Sequence, residues 1–256
     1  MGYSKIEVAT LLGGSGLHII LSSPKGNVLD ASMMKEIHAE LEACKARRDL
    51  KIIAFSGAGG HFSFGASVAE HVREQAPAMI SSFHALFLRL VDLAVPTAAV
   101  VHGRCLGGGM ELAMFCNRVF AHPDAVFGQP EIQLGVLPPV ASLVLPFKVG
   151  QSAADDINLT GRNMTCEEAR RLGLVDHVSE NPLADLEAWA DQQLAPKSAW
   201  SLRFAVRASR FRLNEVLRTG LPAMERLYID ELMATHDANE GIGAFLEKRK
   251  PGWMHT

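Results

Sequence analysis

Two glutamates and two glycine-bearing loops are the residues of this chain whose types and spacing suit catalysis. The loop Ser56 to Ser67 (SGAGGHFSFGAS) follows the apolar run KIIAF, and His102 to Asn117 (HGRCLGGGMELAMFCN) follows TAAVV. A strand that enters a tight loop and then a helix leaves the first N–H groups of that helix unpaired, free to meet an anion or a developing oxyanion. Glycine there permits positive φ and removes the Cβ that would hold a ligand away. Glu111 stands in the first turn after the triple glycine, and Glu131, in FGQPEIQLG, opens a short helical stretch twenty positions later. A segment of that length can run down a helix, return along RVFAH and bring both carboxyls to one cleft. Paired carboxylates in a partly apolar pocket have raised or split pKa values and can act as general acid and base on one substrate. The alternative is that Glu111 only complements a helix dipole and Glu131 only caps a helix.

Other chemistries fail on spacing. Gly13, Gly14 and Gly16 precede a strand instead of a helix, and Gly57, Gly59 and Gly60 are wrongly spaced for a dinucleotide fingerprint. No GKS or GKT forms a phosphate loop, and no GxSxG forms a nucleophile elbow. Cys44, Cys105, Cys116 and Cys166 are far apart, with no CxxC and no paired His, so they read as packed reduced thiols and no metal site is expected. That cysteine usage, with no basic-then-apolar leader at MGYSKIEVAT, points to a cytoplasmic protein. His61, His71 and His102 flank the loops and read as solvated or packed. Phe83 to Leu90 recurs at helical spacing, as a core or pocket wall does. Lys248-Arg249-Lys250 reads as a solvated helix end.

Positioning these residues falls to an alternation of strand-like and helix-like stretches. IEVAT and LHIILS, a helix over Ala31 to Ala46, KIIAFSG, a helix over Ala76 to Leu93 and TAAVVHG follow in order, which implies parallel strands joined by helical crossovers. Asp30 caps the first helix; Thr165 opens another, with Glu168 completing a capping box and Gly173 ending it. After Pro182 the strand signals stop, and Leu183 to Leu194, Ser198 to Phe211 and Leu213 to Leu246 read as successive helices. A boundary near residue 195 divides a core, 1–195, from a helical region, 196–256, whose apolar stripes need a partner surface. With 25 Lys+Arg against 28 Asp+Glu, the net charge of -3 gives no field to attract nucleic acid or an anionic membrane. No apolar run reaches the length of a membrane span.

Pro24 to Leu29, Gly57 with Phe62 to Ala66, Gly103 to Glu111, Phe127 to Gly135, Glu168-Ala169 with Gly173 to Val175, and Phe245 to Pro251 stand in order over nearly the whole chain. This ordered set resembles the enoyl-CoA hydratase/isomerase, or crotonase, superfamily. The resemblance implies an α/β fold, a spiral of β-β-α units with a helical C-terminal region for trimer assembly, as a homotrimer or a dimer of trimers. It also implies an acyl-CoA substrate and no cofactor beyond it. By resemblance the thioester oxygen is held by the N–H groups of Ala66 and Gly108, Glu111 positions water and Glu131 transfers the proton. Phe64, Ala66, Ser67, Val68, Gly107, Gly108 and Lys248 are the expected substrate-binding residues, Lys248 reaching CoA phosphates from a neighbouring subunit. Phe83, Phe87, Leu137 and Val140 are the expected acyl-pocket wall.

Two departures bear on substrate. Gly65-Ala66-Ser67 stands where relatives carry GAD, and Ser67 suits the same N-cap. Leu137 to Ser142 (LPPVAS) replaces a glycine-rich stretch with a bulkier, stiffer wall. FSFGASVAEH together with GQPEIQLGVLPPVAS resembles the alicyclic dienoyl-CoA hydratases of anaerobic aromatic breakdown. A general short-chain enoyl-CoA hydratase, a double-bond isomerase and a non-catalytic RNA- or protein-binding relative are the competing expectations.

Overall fold

The computed structural model describes residues 2–256. Strands β1 (Ile6–Leu11) and β2 (Gly16–Leu21) form an antiparallel hairpin, against the expectation of parallel pairing throughout. Only Leu12 to Ser15 separate them, and a parallel pair needs a crossover of roughly a dozen residues or more. From β2 onward the large sheet is parallel: β3 (Ile52–Gly57), β4 (Thr97–Val101), β6 (Arg118–Ala121) and β9 (His177–Val178) follow in the order β1-β2-β3-β4-β6-β9. β3 and β4 are buried on both faces, as their continuous apolar runs require. Ile53 and Phe55 face the main core with α1 (Ala31–Ala43) and α2 (Ala76–Leu93). Ile52 and Ala54 face Leu186, Ala190 and Leu194 of α7 (Pro182–Gln193) and its end.

A second sheet, unforeseen in the sequence, holds β5 (Arg104–Leu106), β7 (Val126–Gly128) and β8 (Asn163–Thr165). Three-residue strands are too short to show a period. β4-β5 then lead into α3 (Gly108–Phe115), and β6-β7 lead through a 3-10 turn, Pro130–Leu134, into α4 (Pro139–Val149). Each unit lays one strand in each sheet and adds a helix, giving the β-β-α spiral. α5 (Gln151–Thr160) and α6 (Cys166–Arg171) complete this half.

The expected caps are present at Asp30, whose side chain accepts from Met33 N–H at 2.8 Å, and at Thr165, which accepts from Glu168 N–H. The capping box stays half-formed, because the Glu168 carboxylate pairs with Arg162 at 2.7 Å. Among the described residues, α2 is the one helix long and apolar enough to cross a membrane; half of it is buried within the fold. All four cysteines are buried free thiols, and burial pushes Cys44 and Cys116 up to about 11.

The C-terminal half departs from expectation twice. Leu213 to Leu246 is not one helix: α9 (Phe211–Arg226) gives way to a π-helical turn, Leu227–Glu231, then a 3-10 turn, Leu232–Ala234, before α10 (His236–Leu246). Thr235 caps the new helix through Ala238 N–H at 3.3 Å. Nor do these helices stand apart after residue 195. Leu213, Leu217 and Leu221 of α9 join the main core, following α8 (Ala199–Ser209), while Tyr228, Met233, Ala238 and Ile242 pack on Ala76, Ile80 and Val136.

Candidate active site

Side-chain hydrogen bonds fix the first loop. Asn27, buried with φ 53°, donates to the carbonyls of Ala58, His61 and Phe62 at 2.9, 2.9 and 3.2 Å. Ser63 Oγ donates to the Asn27 carbonyl at 2.8 Å and accepts from Gly65 N–H at 3.0 Å. A parallel bridge from Ser63 to Cys105 then sets this loop beside the second one. Ala66 and Gly108 consequently stand side by side: a Cβ on Gly108 would lie 3.2 Å from Ala66 N and 3.0 Å from Phe83 Cζ. Neither N–H finds an acceptor among the described residues. Gly108 opens α3, as expected. Ala66 is followed by a single 3-10 turn, Val68–His71, so its free N–H comes from the Gly65 bend at φ 99° and not from a helix start. The Ser67 side chain makes no cap bond either; its carbonyl accepts from His71 Nδ1 at 2.7 Å.

The two carboxyls face different surroundings. Glu111 is 3% exposed, and its Oε1 accepts from Ala141 N–H at 2.7 Å, in the first turn of α4. Burial pushes its pKa up to about 7, against the pull of the Ala141 and Val140 N–H groups. Glu131, in the Pro130–Leu134 turn, is raised well above the usual carboxylate range, by enclosure of its carboxyl and then by the charge of Glu111. The Gln129 carboxamide lies against both Glu131 oxygens, and with its nitrogen turned toward them it donates at 3.2 and 3.0 Å. Gly107 is needed beneath them, since a Cβ there would lie 2.7 Å from Glu131 Oε1.

Glu111 and Glu131 line one cavity of about 30 Å³ with Ala66, Gly108, Phe83 and Leu137. Ala66, Met79 and Phe83 also border a neighbouring cavity of about 270 Å³ that reaches Leu29, Met34 and Gln75. The arrangement sets two unpaired donors beside two carboxyls, suited to hold an oxyanion while one carboxyl accepts a proton and the other supplies one. Among the described residues, no group of three or more His, Cys, Asp or Glu is arranged to hold a metal ion.

Not every expected residue reaches this site. Phe87 does not line the cavity; it lies edge-on against Phe83 at 5.1 Å and Phe115 at 5.3 Å, so it supports the wall from behind. The Val140 side chain is in the main core, and Pro138 and Pro139 line the cavity in its place. Phe64 is 40% exposed, its ring over Gly26, and Val68 packs part-buried against the cluster that holds Ala76, Ile80 and Tyr228. Lys248 follows α10 at φ 56° and borders neither cavity within this chain. His71, read as a background residue, lines the cavity with His84 and Tyr228, both unforeseen. His84 shares a helix face with Ile80, a spacing that could have revealed it; a residue in a π turn leaves no periodic signal.

Residues 14–256 match the enoyl-CoA hydratase/isomerase family. A cyclohexa-1,5-dienecarbonyl-CoA hydratase of Thauera aromatica is 45% identical over 250 residues, 98% of this chain and 97% of that one. A 2,3-dehydroadipyl-CoA hydratase of Escherichia coli (strain K12) is 34% identical, covering 88% and 89%. Among solved structures, an enoyl-CoA hydratase from Mycobacterium avium superposes with a TM-score of 0.86 at 25% identity, over 99% of this chain and 100% of that one.

Proposed function

Because the chain belongs to the enoyl-CoA hydratase/isomerase family, we propose that it is a hydro-lyase whose substrate is a cyclic dienoyl thioester, cyclohexa-1,5-diene-1-carbonyl-CoA. The observation that carries the chemistry is the sharing of one cavity by Glu111, Glu131, Ala66 and Gly108. The thioester oxygen takes the two backbone N–H groups, which meet the charge that develops as the enolate forms. Glu111, held toward its ionised form by N–H donors, accepts a proton from water as the water oxygen bonds to carbon. Glu131, whose protonated form is favoured by burial and by the charge of Glu111, delivers a proton to the α-carbon as the π bond is lost. One O–H and one C–C π bond break while one C–O and one C–H bond form, with no cofactor beyond the CoA of the substrate.

The ring carries no polar handle, so shape must select it. Phe83, Leu137, Pro138 and Pro139 supply a stiff apolar wall. Identity of 45% to a relative named for this substrate supports the same reading. Such a substrate places the enzyme after reductive dearomatisation of an aromatic thioester. By the family resemblance the chain assembles as a trimer or a dimer of trimers.

Turnover of the cyclic dienoyl-CoA and of crotonyl-CoA, measured side by side in heavy-oxygen water, tests this. The expected result is label in the product and faster turnover of the cyclic thioester. Faster hydration of crotonyl-CoA would overturn the substrate, and unlabelled, rearranged product would make the chain an isomerase.

A further inference from the structure

Two polar atoms at this cavity are left without a part in the proton transfers. Tyr228 is 1% exposed and its hydroxyl has no hydrogen-bond partner among the described residues; His84 is 2% exposed and its Nε2 has none among them. A buried polar group left unpaired is destabilising, so one that persists calls for a partner supplied from outside the fold. Both residues line the cavity that holds Glu111 and Glu131.

Their hydrogen-bonding characters are complementary. His84 Nδ1 lies 2.8 Å from Glu225 Oε1. An ionised carboxylate only accepts, so Nδ1 carries the hydrogen, and in the neutral ring Nε2 presents a lone pair. Burial holds the ring below the usual imidazole pKa and so favours that neutral form. The phenol is the converse case: burial, then the charges of Glu131 and Glu111, push its pKa up, so the O–H is retained as a donor. One donor and one acceptor match a single hydroxyl, which accepts and donates at once. The π-helical turn Leu227–Glu231 is what delivers Tyr228, and such turns are rare and frequently found at functional sites.

A dienoyl group has no oxygen besides the carbonyl that Ala66 and Gly108 hold, but the attacking water and the hydroxyacyl product bring a second one. We propose that Tyr228 and His84 form a hydroxyl-binding pair for the oxygen that Glu111 and Glu131 add to or remove from the acyl group. The pair makes the site complementary to the hydroxyacyl-CoA side of the reaction, and the inference rests on the hydration reading above.

Kinetics of Tyr228→Phe and His84→Asn in both directions test it, using the cyclic dienoyl-CoA with its hydrated product and, as a second pair, crotonyl-CoA with 3-hydroxybutyryl-CoA. Tyr228→Phe keeps the ring, and His84→Asn keeps a donor toward Glu225. Loss of one hydrogen bond to the added oxygen should lower kcat for hydration about fivefold to tenfold with KM for the enoyl thioester unchanged. In dehydration the same loss should appear as a raised KM for the hydroxyacyl thioester. Tyr228→Phe should melt no lower than the native chain, since it removes a hydroxyl that is unpaired without ligand. Equal KM increases for both thioesters would reduce the pair to pocket shape, and unchanged kinetics would leave it inert; either overturns the inference. If His84→Asn fails to fold, Tyr228→Phe decides alone. A native chain that puts no heavy oxygen into either product overturns the hydration reading itself, and the inference with it.

Discussion

Glu111 Oε1 accepts a hydrogen bond from Ala141 N–H at 2.7 Å, so a carboxyl in the first turn of α3 lies against the N-terminus of α4. The positive end of that helix favours the anion, and Pro139 at its first position fixes where the helix begins. Glu131 lies in the short 3-10 turn Pro130–Leu134 beside the Gln129 carboxamide, without the N-terminus of a longer helix facing it. This asymmetry supports the proposed roles, Glu111 as the base and Glu131 as the acid.

Replacing either carboxyl by its amide, Glu111→Gln or Glu131→Gln, should lower kcat by at least ~10²-fold while acyl-CoA binding is kept. Stopped turnover with intact thioester affinity is the pattern to be measured. A double variant with near-normal turnover would refute the assignment.

The same pair makes stability depend on pH with a defined sign. Both folded-state pKa values lie above the usual 4.5, with Glu111 at about 7 and Glu131 raised well above the ordinary carboxylate range. The stabilisation is therefore complete below the unfolded value and is lost as pH rises through about 7. Thermal melts should show the native chain losing more stability between pH 5 and pH 8 than Glu131→Gln, which stays neutral. Hydration moves the other way on its acid limb, rising as the pair gives up its first proton near pH 7, with apparent pKa values that belong to the pair. Identical melting profiles for the two proteins would remove the coupling.

Gly108→Ala tests the donor pair. Its Cβ would stand 3.2 Å from Ala66 N, where the thioester oxygen has to sit, and 3.0 Å from Phe83 Cζ. Loss of an oxyanion donor typically costs about 10²- to 10³-fold in kcat, and that is the expected effect. Folding should change little, as judged by circular dichroism. Full activity in this variant would place the oxyanion elsewhere.

Exchanging Pro139, Val140 and Ala141 for Gly, Ala and Gly acts on two functions at once. It softens the apolar wall, so the preference for the cyclic thioester over crotonyl-CoA should narrow by about one to two orders of magnitude at most. It also loosens the start of α4 that holds Glu111, so kcat should fall for both thioesters. A narrowed preference with undiminished kcat would separate wall from helix end.

The C-terminal helices bear on assembly and on folding together. Removing the chain from Ser198 onward takes Leu213, Leu217 and Leu221 out of the main core, so aggregated protein is the expected result. Trp200 and Phe204 are 56% and 59% exposed on α8, and the proposed assembly can be tested on this face. Trp200→Glu with Phe204→Glu should therefore yield smaller, still helical species by sedimentation and circular dichroism. An unchanged sedimentation coefficient would move the interface off α8.

What the sequence determined by itself was local. Apolar runs marked β1 to β4, helical spacing marked both ends of α2, Asp30 marked the start of α1, and the glycine loops with Glu111 and Glu131 marked the chemistry. Each is set by periodicity or backbone freedom within a few residues. The tertiary structure alone decided which side of a helix meets which distant segment. It turned Phe83 to the cavity and Phe87 to the core, and it paired three-residue strands into a second sheet. It also set Ala141 on Glu111 across 30 positions, and Glu225 on His84 across 141. Contacts at such separations depend on the packing of whole elements, and the π turn at Tyr228 breaks the one period from which its place could have been read.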